Sequence, residues 1–77
     1  MTEQQIQSKA IKEWEAKGYY VLKLAKTQKN GIPDLVCLKP NHVVFIEVKK
    51  PDGVVSPLQE YRIKELNHLG FDTIVLK

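Results

Sequence analysis

His42-Val43-Val44-Phe45-Ile46-Glu47-Val48-Lys49 is the stretch whose reading decides the fold. It is the strongest strand in the chain, rich in β-branched and aromatic residues, and Pro51-Asp52-Gly53 breaks it. Side chains alternate between the two faces of a sheet, so Val44, Ile46 and Val48 share an apolar face. Glu47 and Lys49 project together from the other face, with Cβ atoms about 6.5–7 Å apart. A carboxylate and an ammonium at the end of so apolar a strand are expensive to bury without compensation. Taken alone, the Glu-x-Lys tripeptide is common and reads as a structural ion pair at the frayed end of an edge strand.

The residues just upstream change that balance. Lys39-Pro40-Asn41 is a turn, and Asp34 to Leu38 is a short strand that the turn lays beside the first. Asp34, directly after Pro33, is thereby carried toward Glu47. Two carboxylates drawn together repel and raise each other's pKa unless a cation lies between them. A hard divalent ion, Mg²⁺ or Mn²⁺, relieves that repulsion through oxygen ligands. In this reading Asp34 and Glu47 hold the ion, and the carbonyl oxygen of Val48 adds a neutral ligand. Lys49 would position a water or neutralise charge developing on a phosphorus centre.

Farther out, the first element reads as a helix from about Glu3 to Lys17. Thr2 with Gln5 fits a capping box, and Gly18 stands where a left-handed terminator belongs. Ile6, Ala10 and Trp14 form one apolar stripe. Extended backwards, the stripe lands on Glu3, which is therefore expected at the edge of the buried face rather than in solvent. Tyr19 to Leu24 is a β-rich segment, followed by a polar loop from Ala25 to Ile32. A second helix spans about Pro57 to Leu69, with Ser56 as N-cap, Pro57 at its first position and Gln59 completing another capping box. Gly70 ends it, and Phe71 to Leu76 is a closing strand. The expected order is helix, three strands in an antiparallel meander, a crossover helix, and a strand able to pair in parallel.

The chain has 77 residues, enough for one domain over positions 1–77 with one small core. Such a domain buries only roughly 60% of the surface of its unfolded chain, so a metal or a partner chain is an expected supplement. Cys37 is the only cysteine, which excludes an internal disulfide, and its apolar neighbours make it a small buried hydrophobe. No apolar run approaches the ~20 residues of a membrane span, and a reducing, cytoplasmic setting is expected. The net charge of +3 is modest, but Lys17, Lys23, Lys26 and Lys29 form a basic stretch with no acid before Asp34. That stretch suits a polyanion, or simply a solvated loop.

Gly31-Ile32-Pro33-Asp34-Leu35, then Glu47-Val48-Lys49 after twelve intervening residues from Asp34, resembles the PD-(D/E)XK nuclease signature. Lys50-Pro51-Asp52-Gly53 and Ser56-Pro57-x-Gln59 narrow it to a resemblance to the VRR-NUC family, the virus-type replication–repair nucleases, and to its short stand-alone members from phages and bacteria. The resemblance runs from Glu3 to the last strand. It implies an α/β fold, a minimal restriction-endonuclease-like αβββαβ core with a mixed four-stranded sheet flanked by helices. It also implies that Glu3, Asp34 and Glu47 face a metal, that Lys49 is the catalytic lysine, and that Gln59 lies near the site. Ser56 aligns with the residue that starts the second helix. The activity implied is that of a Mg²⁺- or Mn²⁺-dependent DNA endonuclease, with branched or four-way-junction DNA as substrate and a homodimer as the working form.

Lys23, Lys26, Lys29 and Lys50, with Ser56, are the candidate DNA contacts. Trp14, Tyr19, Tyr20 and Tyr61 read as core rather than base-stacking platforms, although Tyr20 or Tyr61 could face a second subunit. His42 and His68 read as surface or turn residues. Two rivals follow from the same residues: a catalytically silent nucleic-acid-binding module, and a metal-independent RNase using His42 with Lys49.

Overall fold

The computed structural model describes residues 1–77. Its elements are α1 (Glu3–Ala16), β1 (Tyr20–Lys23), β2 (Leu35–Lys39), β3 (His42–Val48), α2 (Pro57–His68) and β4 (Asp72–Leu76). The strands form one four-stranded sheet in the order β1-β2-β3-β4. The first three are antiparallel, and β4 joins β3 in parallel after the α2 crossover. The order and pairing are those expected from the caps and the alternation of β3.

Local chemistry explains the element ends. Thr2 and Ser56 each accept the N–H of the glutamine three residues on, and each glutamine side chain accepts the cap's N–H. A cap of this kind is worth about 1 kcal/mol to a short helix. Lys17 and Leu69 prove to be C-caps rather than last helical residues, each followed by a glycine with positive φ. Lys39 pairs with His42 across Pro40 and Asn41, and Asn41 takes the left-handed conformation (φ 61°) that closes so tight a turn. Asp34 lies just outside β2 instead of opening it, although its carbonyl still accepts the Leu24 N–H at 2.8 Å and its carboxylate a backbone N–H of β3.

The core is one-sided. Ile6 and Ala10 of α1 pack on Leu35, Cys37, Val44, Ile46 and Val48, with Trp14, Tyr19, Val21 and Leu76 around them. Leu35 stands opposite Ile46, and Cys37 opposite Val44, so β2 and β3 present a continuous apolar surface to α1. Cys37 is fully buried, as its neighbours implied, and burial pushes its thiol pKa up, away from reactivity. The other face carries Val36, Phe45 and Glu47, and Gln59 of α2 reaches Glu47 there. None of the α2 side chains is fully buried.

Two expectations are corrected. Glu3 is exposed, not at the edge of the buried face. Ile6 is the first buried residue of α1, and it shares a hollow with Met1 and Leu76, the last residue of β4. Tyr20 (68% exposed) and Tyr61 (56% exposed) are surface residues rather than core. Tyr20 begins the edge strand β1, and Tyr61 points outward from the thinly packed α2.

Ile46 is fully buried and central to the α1 face, so Ile46→Val removes one methylene group with little room for collapse. It is expected to cost about 1 kcal/mol, read in urea as a lower midpoint with an unchanged slope. An unchanged midpoint would show that the α1 face does not carry the stability.

Candidate active site

The β2–β3 register sets the site. Leu35 pairs with Ile46 and Val36 with Phe45, so continuation by one residue places Asp34 opposite Glu47. Both side chains then share the face turned away from α1. Asp34 Oδ2 accepts the N–H of Val48 at 2.8 Å, which fixes its carboxylate at the end of β3. Within a strand residue the N–H and C=O point to the same side, so the Val48 carbonyl is directed toward the Asp34 side too.

Glu47 is only 2% exposed. Its Oε2 receives Gln59 Nε2 at 3.2 Å and lies 3.6 Å from Lys49 Nζ. Its Oε1 is buried and has no hydrogen-bond partner. Burial first, and then the charge of Asp34, push its pKa up to about 7, with Lys49 pulling the other way. Gln59 is used twice: its Oε1 accepts the Ser56 N–H at 2.9 Å, which leaves its NH₂ group for Glu47. The capping box that starts α2 therefore also aims a donor into the site. Lys49 is itself largely covered, at 15% exposed, so its ammonium is held against Glu47 and not free in solvent.

Asp34, Glu47, Val48, Lys49 and Gln59 are thus brought together. Glu3 is not: no group of three metal-ligating side chains forms, and α1 lies on the opposite face. Lys26 and Lys29 line an open hollow that ends at Asp34. Lys23 and Lys50 are exposed, Lys23 at the end of β1 and Lys50 in the turn after β3, while Ser56 is exposed at the start of α2. His42 is at the far end of β3, bonded to Tyr19 Oη at 2.6 Å, about 20 Å of strand away from Lys49. That separation removes the RNase arrangement pairing those two residues. Sequence reading passed over Arg62, whose Nε donates to the Asn30 carbonyl at 2.9 Å and ties the β1–β2 loop to α2. Its one visible signal was the Arg62/Glu65 pair at helical spacing, bonded at 2.8 Å.

An α/β sheet with two facing carboxylates and a lysine at the strand ends is a nuclease-type scaffold. The VRR-NUC domain model matches residues 3–77, so the chain belongs to the VRR-NUC family. A solved structure described as a VRR_NUC domain superposes with a TM-score of 0.86 at 28% identity, covering 99% of this chain and 85% of that one. UPF0102 proteins of Thermotoga petrophila and Thermotoga maritima are each 35% identical over 60 residues, 78% of this chain. The chain matches 56% of their length, so it spans about half of the curated relatives. No helix is long and apolar enough to cross a membrane.

A buried acid whose pKa is raised on folding destabilises the folded protein once it must ionise. In metal-free buffer the Glu47 contribution is most favourable below about pH 4.5 and is lost as pH rises through about 7. Glu47→Gln removes the ionisation while keeping the shape. It is expected to match the parent near pH 4 and to exceed it at pH 8 by up to about 3 kcal/mol, read from urea midpoints in chelator. Parallel stability–pH curves for the two proteins would contradict the buried acid.

Proposed function

We propose that this VRR-NUC domain is a metal-dependent DNA endonuclease hydrolysing phosphodiester bonds. The observation that carries the reading is the orphaned Oε1 of the buried Glu47 beside Asp34. A buried carboxylate oxygen without a donor is costly, and a hard cation supplies the missing partner. Asp34, Glu47 and the Val48 carbonyl form an all-oxygen donor set of the kind Mg²⁺ or Mn²⁺ takes. When bound, such an ion polarises a phosphate oxygen and lowers the pKa of a bound water.

The chain's own residues have the remaining tasks. Asp34 and Glu47 must be ionised, and the Val48 N–H and Gln59 keep their carboxylates oriented. Lys49 positions the attacking water or offsets charge that builds on the phosphoryl oxygens. Gln59 restrains Glu47 Oε2 and leaves Oε1 for the cation. Glu3, exposed on α1, would join only through movement of that helix turn or through water.

We further propose that the substrate is branched DNA, in particular a four-way junction, and that the working form is a homodimer. Two identical sites related by a two-fold axis match the symmetry of such a junction. A second subunit is supported by the small core, in which only 10 of 77 residues are buried, and by exposed Leu58, Tyr61, Leu69 and Phe71.

Purified protein assayed on junction, flap, nicked and linear DNA is expected to cleave with Mg²⁺ or Mn²⁺ and to stop in EDTA. Glu47→Ala and Lys49→Ala should each lower kcat by at least about 10²-fold, in the range for loss of an electrostatic or acid–base group. Gln59→Ala should lower it less, since it acts through Glu47. Binding without cleavage under every metal condition would favour the silent binding module. Sedimentation as a monomer at assay concentration would remove the dimer.

A further inference from the structure

Between β1 and β2 the chain makes a long excursion that contains no acidic residue before Asp34. Its shape is set at several points. The Leu24 N–H donates to the Asp34 carbonyl at 2.8 Å, closing the base of the loop. Thr27 Oγ1 donates to the Lys29 carbonyl at 2.6 Å inside it. Arg62 Nε donates to the Asn30 carbonyl, and Arg62 Nη1 is itself held by Glu65. Gly31 lies so close to α2, with positive φ, that an added Cβ would stand 2.8 Å from Leu58 Cγ. The loop is thus latched to the helix that also supplies Gln59.

The latched loop encloses an open hollow of about 490 Å³ that reaches Asp34, with Lys26, Thr27, Lys29 and Asn30 among its walls. Two cations, a hydroxyl and an amide line one space, and its only acid is Asp34, which the strand register places opposite Glu47. Neither lysine takes part in an ion pair, but Lys29 lies in the field of Glu65 and Lys26 has no such acid acting on it. Lys26 is therefore the cation available to a ligand.

We infer that this hollow seats a backbone phosphate of the DNA strand next to the phosphate at Asp34 and Glu47, with Lys26 as its principal contact and Arg62 as the positioning residue that keeps the loop in place. The assignment rests on the proposed reading of the acid pair as the site where a DNA strand is held. A strand leaving that pair passes over one of its flanks, and this flank offers an open hollow with unpaired positive charge and hydrogen-bond donors. Arg62 does not touch the strand; it acts through the loop.

The test is binding of a duplex oligonucleotide by fluorescence anisotropy in EDTA, where no turnover occurs, over a range of salt concentrations. Each phosphate contact contributes about 0.9 to the slope of log K against log salt. Lys26→Ala should lower the slope by about that amount and Lys26→Arg should restore it. Arg62→Ala should lower it at least as much, and Lys26→Ala added to Arg62→Ala should lower it no further. That non-additivity is what a merely structural role for Arg62 would not produce. If Arg62→Ala does not fold, Gly31→Ala, which pushes the loop off Leu58, takes its place with the same expected loss. A slope unchanged in Lys26→Ala, additive losses, or no binding by the parent at low salt would each overturn the subsite. Normal cleavage with an unchanged slope would sink the subsite and spare the nuclease reading. A lowered slope with no cleavage under any metal would do the reverse.

Discussion

Keeping one carboxylate, that of Glu47, out of water is the constraint on which the site depends. Taking an ionised carboxylate out of water is among the costliest single steps in folding, and the protein offsets it only in part. Oε2 is served by Gln59 and Lys49, while Oε1 is left without a donor. The arrangement is lopsided in a way that a purely structural ion pair would not require. A structural pair gains most when both oxygens are satisfied, and here the unsatisfied oxygen lies on the carboxylate that faces Asp34.

The sheet divides its labour between faces to make this tolerable. On the α1 side, Leu35, Cys37, Ile46 and Val48 are sealed, and that side supplies most of the burial. On the α2 side the covering helix has no fully buried residue, so that face is the more loosely packed of the two even though Glu47 itself is covered. Because strand side chains alternate, the residues that secure the core, Ile46 and Val48, also fix the direction of Glu47 and Lys49 between and beyond them. A one-residue slip of β3 would bury Lys49 and expose Ile46. The site inherits its register from the core.

Much of this was legible in the chain. Alternation in β3, the caps at Thr2 and Ser56, and the Pro33-Asp34 junction are local signals, and local signals gave the element order and the Asp34–Glu47 pairing. What was not legible depended on where elements end in space. The stripe through Ile6 and Ala10 correctly named the buried face of α1, but a periodicity does not say at which turn burial begins, and here it begins at Ile6 and leaves Glu3 in solvent. Tyr20 and Tyr61 carry the same apolar surface as core tyrosines; their exposure follows from an edge strand and a loosely packed helix. Arg62 was hidden because its partner is a backbone carbonyl 32 residues away, and a carbonyl has no sequence signature.

The second helix links these parts. Its first turn supplies Gln59, which serves the Ser56 cap and Glu47 with opposite ends of one amide. One turn farther on, Arg62 holds the basic loop that adjoins Asp34. Residues 59 and 62 are three apart and so lie on neighbouring points of one helix face. A shift of α2 along the sheet would therefore disturb the acid pair and the loop together. The weakly buried α2 gains little from its own packing, so its placement relies on these polar contacts, and substrate that engages either end has a physical route to steady the other.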